Sequence, residues 1–409
     1  VGRNKLCAVP AAGLAKKPLN HRGKPGWRGM RKTSTAPVPP ELRRACSGLR
    51  ECAHDPLRNK SVHYNPSRNA HDGQGMNDTI VESRHGETMF GLHSADLFAL
   101  LCYLVGITVI GVRAAGRVTS TSDFIMPRRF GKLMMIMHGF GTSTHSDQAV
   151  SVASKSAESG LAGIWYQWMW LFATPFYWLI APMMRRLRAV TTADVFAARF
   201  DGSVSVLYSI LGLGKFMVNI GLMLKGSAVI VDAVTDGQLP AEVMICVMTV
   251  LFVVYGMAGG LGAAIVTDFI QGILTILFSF LLLPAVMNAV GGLSGMKTTL
   301  AELRPDVEMV SLVAPGEIGV FFIFMIAFNS LLGVVVQPHN MGTCAAGRSE
   351  VDGAVGFMAG NMIKRVCTVA WCLTGLAAVA YYGGKIDEPD LIYGNMAREF
   401  LPQIMPGLL

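Results

Sequence analysis

The chain has 409 residues, 52% of them hydrophobic and 15% charged, with a mean hydropathy of +0.43. Soluble domains carry about 25% charged residues. The composition therefore excludes an ordinary soluble domain, a secreted disulfide scaffold, a coiled coil and a nucleic-acid-binding module, and points to a polytopic membrane protein. The net charge of +8 resides in residues 1–88, which hold 16 Lys and Arg against 7 Asp and Glu, whereas residues 89–409 hold 19 against 20.

Residues 1–88 are rich in Arg, Pro, Gly and Asn and lack apolar periodicity, which reads as a basic disordered tail. The apolar body starts just after Met89, so translation beginning at Met89 or Met76 would remove nearly all the basic excess. Cys7, Cys46, Cys52, Cys102, Cys246, Cys344, Cys367 and Cys372 show no metal-ligand or redox spacing and read as small hydrophobes.

A membrane helix needs about 20 apolar residues. Uncharged or nearly uncharged runs cover 97–112, 133–153, 161–184, 204–234, 243–296, 318–337 and 351–382. The run 243–296 is too long for one helix, and Gly256, Gly259, Gly260 and Gly262 supply a break into a hairpin, giving eight spans. Loops 113–132, 185–203 and 338–350 carry ten Lys and Arg, and the opposite set carries five. The richer set is expected in the cytoplasm, so the first helix starts outside.

The run 133–153 is interrupted by Gly141-Thr142-Ser143-Thr144-His145-Ser146-Asp147-Gln148. Polar, irregular backbone at that depth survives where protein or a water-filled cavity satisfies it. Transporters use such breaks to offer carbonyl oxygens and half-helix ends to ions and solutes; a re-entrant segment capping two short helices is the alternative. A weaker interruption is expected in 318–337 at Asn329 and Ser330, though an interhelical hydrogen bond would also explain Asn329. Asp268 lies just past the turn glycines, where a cation contact, a gating ion pair and interfacial exposure are all open. Lys364 and Arg365 fall well inside their helix, so that one snorkels while the other pairs inward. His145 is either a proton carrier or a hydrogen-bonded structural residue. Gln167 is the polar exception among Trp165, Tyr166, Trp168 and Trp170, which form an interfacial belt. HExxH, GxSxG and paired-His patterns are absent from the sequence, so enzyme chemistry is not expected.

Three stretches resemble the sodium:solute symporter family. The first is Ser122-Asp123-Phe124-Ile125 with Arg128 and Arg129. The second and most specific runs from Tyr255-Gly256 through Gly259-Gly260-Leu261 to Thr267-Asp268-Phe269-Ile270-Gln271. The third runs from Gln337 through Ala345-Ala346-Gly347-Arg348-Ser349 and Gly353 to Lys364. The resemblance covers residues 94–409. It implies an all-α polytopic membrane protein with the LeuT-type inverted-repeat bundle, about eight transmembrane helices being present and the second repeat incomplete. Residues 89–113 would be an extra N-terminal helix, 132–290 the first five-helix repeat, and 316–409 a partial second repeat that stops before the eighth core helix.

The resemblance implies sodium-coupled symport of a small polar organic solute, with a sugar-like one favoured, across the cytoplasmic membrane. Sodium would be the coupling ion and no other cofactor is implied. Thr142, His145 and Asp268 would contact the cation, and Gln148, Gln167, Asn329 and Lys364 the solute. The sequence departs from the sugar carriers at Gln167, which replaces an acid, at Leu332, which replaces an aromatic, and at His145 and Asp147 within the break. The expected partners are the solute, sodium, the lipid bilayer and a separately encoded C-terminal fragment, with no nucleic acid. The alternative is a symporter-like sensory module or an inactive truncated one.

Overall fold

A computed structural model describes residues 88–89, 92–116, 118–305, 307–314, 317–402 and 405. The basic tail expected over 1–88 lies almost wholly outside them. The described part begins with a short antiparallel pair, β1 (Thr88–Met89) and β2 (Leu92–His93), with Met89 opposite Leu92. Among the described residues the regular elements that follow are all helices, joined by loops with two isolated β-bridges, Phe130–Gly347 and Ala314–Ile318.

Helix α1 (Ser94–Ala115) begins where His93 accepts a hydrogen bond from the Ala95 amide, and Arg113 lies in its last turn. Its Phe98, Leu101 and Val105 are exposed, as suits a face turned to lipid. The short α2 (Thr121–Ile125) follows. Just before it the Thr119 hydroxyl, 2.8 Å from Oδ2, holds the Asp123 carboxyl below its ordinary value. The polar run inside 133–153 separates α3 (Lys132–Gly141) from α4 (Ser146–Ser159). The break itself is shorter than the polar run. Ser146, Asp147 and Gln148 become the first turn of α4, where an acidic residue suits the positive end of the helix dipole.

The uncharged run 161–184 does not form one helix. A 3₁₀ turn (Gly160–Ile164), α5 (Trp165–Trp168), a second 3₁₀ turn around Pro175 and α6 (Tyr177–Arg186) share it. Proline at 175 has no amide hydrogen to give a continuous helix. After α7 (Thr192–Arg199) comes α8 (Gly202–Thr235), 34 residues long and capped by the Asp201 side chain on the Val204 amide. Helix α9 (Ala241–Ala289) is interrupted at Gly260, where φ is 54° and ψ −149°. A β-carbon there would lie 2.3 Å from the Phe124 carbonyl oxygen, so this glycine both turns the chain and seats α2 against it.

Helix α10 (Gly292–Leu303) leads to α11 (Val320–Val336), which runs unbroken through Asn329 and Ser330. The expected interruption there is not seen. The Ser330 hydroxyl bonds back to the Ala327 carbonyl instead, which a helix accommodates. The chain bends 63° about two turns later, between α11 and α12 (Pro338–Ala345). Gln337, the residue before proline, is extended there, as residues before proline prefer.

Helix α13 (Glu350–Tyr381) starts at a capping box made by Ser349 and Asp352 and is the buried column of the molecule. It packs on α3, α4, α6 and α9. Gly360 lets α13 approach α3 closely; a β-carbon on it would lie 2.5 Å from both the Ile136 carbonyl oxygen and the Phe140 nitrogen. Small residues drive such packing where lipid supplies no hydrophobic force. Phe140, Val152, Trp371 and Leu376 centre the core, and α14 (Ile392–Phe400) closes it.

Among the described residues, α1, α8, the part of α9 from Gly256 to Ala289, and α13 each suffice alone to cross a membrane. The bent pair α11–α12 makes a fifth span. The remaining predicted spans, 133–153, 161–184 and the first half of α9, are built from shorter pieces.

Candidate functional site

The break between α3 and α4 is where the interior turns polar. Thr142 closes α3 by donating its amide to the His138 carbonyl, His145 is extended, and residues 142–145 are half-buried. Two constellations form on its two sides.

The first joins the break to α9. Asp268 Oδ2 lies 2.7 Å from His138 Nδ1 and 3.4 Å from Thr142 Oγ1, and Thr142 Oγ1 lies 3.1 Å from His138 Nδ1. The side chain of His138 is 3% exposed and that of Asp268 20%. Gly141 leaves room for the carboxylate: a β-carbon there would be 3.0 Å from Asp268 Cβ. A carboxylate and a hydroxyl at a helix break are hard oxygen donors of the kind a small cation takes.

The second joins the break to α13. Lys364, 4% exposed, donates from Nζ to the Ser143 carbonyl, and Gln148 Nε2 donates to the same oxygen at 3.1 Å. Gln148 Oε1, Asp147 Oδ1 and Thr144 Oγ1 are buried without a hydrogen-bond partner. Helix α8 holds this segment from the other side. Ser146 Oγ and Ser227 Oγ are 2.8 Å apart, and Gly226 lies so close that a β-carbon on it would be 2.3 Å from Asp147 Cα.

The geometry thus unites Thr142 with Asp268, and Gln148 with Lys364. His145 lines a cavity of about 310 Å³ together with Ser227 of α8 and Gln271 and Thr275 of α9. Gln167 contributes its backbone carbonyl, which accepts from Arg365 at 2.9 Å. Asn329 lies on the exposed flank of α11. Two residues that sequence reasoning did not assign enter the site, His138 and Asp147. His138 stands four residues before Thr142, hence on the same helix face, and that spacing was its available signal.

Toward the loops, Arg185 reaches the carbonyls of Ala345, Gly347 and Arg348, tying the end of α6 to the junction of α12 and α13. Arg186 beside it pairs with Glu350 at 2.9 Å.

These features define a multi-pass α-helical membrane protein organised around an interrupted helix. The chain belongs to the sodium:solute symporter family, whose model matches residues 124–409. It is 24% identical over 311 residues to a sodium/pantothenate symporter of Escherichia coli (strain K12), covering 72% of this chain and 61% of that protein. It is 23% identical over 325 residues to an osmoregulated proline transporter of Bacillus subtilis (strain 168), covering 76% and 65%. A sodium/glucose cotransporter 1 of Ovis aries is 24% identical over 221 residues, covering 53% and 33%. The chain therefore spans less than two thirds of the length of these relatives. A solved structure of a Na+-coupled sialic acid symporter in a substrate-bound outward-open state superposes with a TM-score of 0.66 at 19% identity, covering 78% of this chain and 69% of that one. That likeness shows the fold, the LeuT-type helical bundle that the motifs imply.

Proposed function

We propose that this chain serves sodium-coupled secondary active symport of a small polar organic solute across the cytoplasmic membrane. The carrying observation is the meeting of Thr142 and Asp268 at the helix break, with Gln148 and Lys364 on its other side. Sodium is a co-substrate in this reading. Thr142 and Asp268 supply oxygen donors to it, and carbonyls of the break complete the shell. The relatives support the reading, being named for sodium-coupled carriage of pantothenate and glucose.

Coupling follows from linkage. Sodium at the break favours the state that is open outward and orders residues 142–148, which raises solute affinity; by reciprocity the solute raises sodium affinity. Rocking of the broken helices against the rest of the bundle then carries both inward. The test is uptake of labelled solute by proteoliposomes containing the full chain, under an inward sodium gradient. Uptake is expected to need sodium and to fall at least about tenfold in Thr142→Ala/Asp268→Ala, the loss of charge-assisted contacts. Sodium-independent uptake, or uptake unchanged in that variant, would count against it.

A further inference from the structure

The polar atoms left without partners at the break specify more than polarity. Gln148 is 9% exposed and its Oε1 is unpartnered, as is Asp147 Oδ1. Both are acceptors, so a ligand must bring donors. Lys364 is buried beside Gln148, its Nζ directed to the same neutral carbonyl, that of Ser143, to which Gln148 Nε2 donates. Lys364 Nζ donates to the Ser143 carbonyl, whereas Asp147 Oδ1 has no hydrogen-bond partner.

We infer that the solute is a zwitterion of the α-amino-acid type, its ammonium bound by Asp147 and Gln148 Oε1 and its carboxylate by Lys364. This rests on the symport reading above and deepens it. A neutral polyol offers hydroxyls to Asp147 yet leaves the buried Lys364 ammonium and the half-buried Asp147 carboxylate without ionic partners, which is costly. A simple monoanion matches Lys364 and is repelled by Asp147, and a simple cation meets the reverse. A zwitterion answers both and adds no net charge. Position supports the assignment, since Gly226 of α8 presses on the backbone of Asp147 and fixes its place at the start of α4. Two of the residues that the resemblance assigned to a sugar stand apart, Asn329 on an exposed flank and Gln167 through its backbone carbonyl.

The test is thermal unfolding of the purified full chain in detergent with each of the twenty L-α-amino acids, in sodium chloride and in choline chloride. At least one amino acid is expected to raise the midpoint, while its N-acetyl derivative, its methyl ester and myo-inositol do not. Asp147→Asn is expected to weaken binding about 100-fold, as loss of one partner of a buried charge pair does, with Asp147→Glu recovering part of it. The proposal is overturned if no amino acid shifts the midpoint, if the N-acetyl or ester form shifts it as far as the parent, or if Asp147→Asn binds unchanged. The ligand comparison on the unaltered chain decides the matter even if the variant fails to fold. An amino acid that stabilises equally in both salts upholds the zwitterion and removes sodium coupling. A polyol that stabilises in sodium alone upholds coupling and removes the zwitterion.

Discussion

Replacing His138 by Leu removes the nearest donor to Asp268 while leaving an apolar side chain in a site that is 3% exposed. Asp268 Oδ2 loses a contact of 2.7 Å and retains Thr142 Oγ1 at 3.4 Å, a weak bond by comparison. A hydrogen bond to a charged group contributes about 1.5–3 kcal/mol, and the carboxylate keeps some contact with its surroundings, so a loss of about 2 kcal/mol is expected. Sodium offers the vacated carboxylate a substitute. If it binds beside Asp268, saturating sodium at about 100 times its dissociation constant contributes about 2.7 kcal/mol. The variant should therefore lose about 2 kcal/mol in choline chloride and recover most of it in sodium chloride. The unaltered chain should gain less from sodium, because its carboxylate already has a partner. The assay is unfolding of the full chain in detergent in both salts, with His138→Asn as a companion that keeps a donor near the same place. An equal loss in both salts would refute the idea that His138 and sodium share Asp268. No loss at all would refute the contact itself.

Other perturbations probe the frame around the site. Gly360→Ala should destabilise by about 1–3 kcal/mol, because the added carbon meets backbone atoms on α3 that cannot swing away; Gly214→Ala, with open space around it, should be neutral in the same melting experiment. Arg185→Ala should loosen the α12–α13 junction and speed tryptic cleavage at Arg348, since three carbonyls lose their donor. Arg186→Ala should change cleavage little, because its pair with Glu350 is exposed and screened by water.

Much of the helical frame was legible because a charge-free run near the length of a bilayer has few alternatives. The break at 142–145 was legible for the complementary reason, since consecutive hydroxyls and amides in an apolar run demand partners. Gly260 was found among four candidate glycines, and the backbone shows why it is the one that turns, with Phe124 against it. Hydropathy did not register the segmentation of 161–184, because a turn made of Trp, Phe and Thr is as apolar as a helix. It also misplaced the second interruption. Asn329 and Ser330 can keep helical backbone by turning or back-bonding their side chains, whereas Gln337 before Pro338 cannot. His138 escaped notice because one imidazole in an apolar run does not announce a carboxylate 130 positions away.

The length of α8 has a mechanical consequence. Its 34 residues extend about 51 Å at 1.5 Å per residue, against a hydrocarbon layer of about 30 Å. Val206, Ile210, Leu213, Met217 and Ile220 leave its first two thirds oily and uncovered, while Gly226 and Ser227 near its far end grip the break. A helix longer than the hydrocarbon layer is accommodated by tilting, kinking or local thickening of the bilayer. Because Gly226 packs on Asp147, a change in the tilt of α8 would bear directly on the start of α4, where the proposed ligand contacts lie.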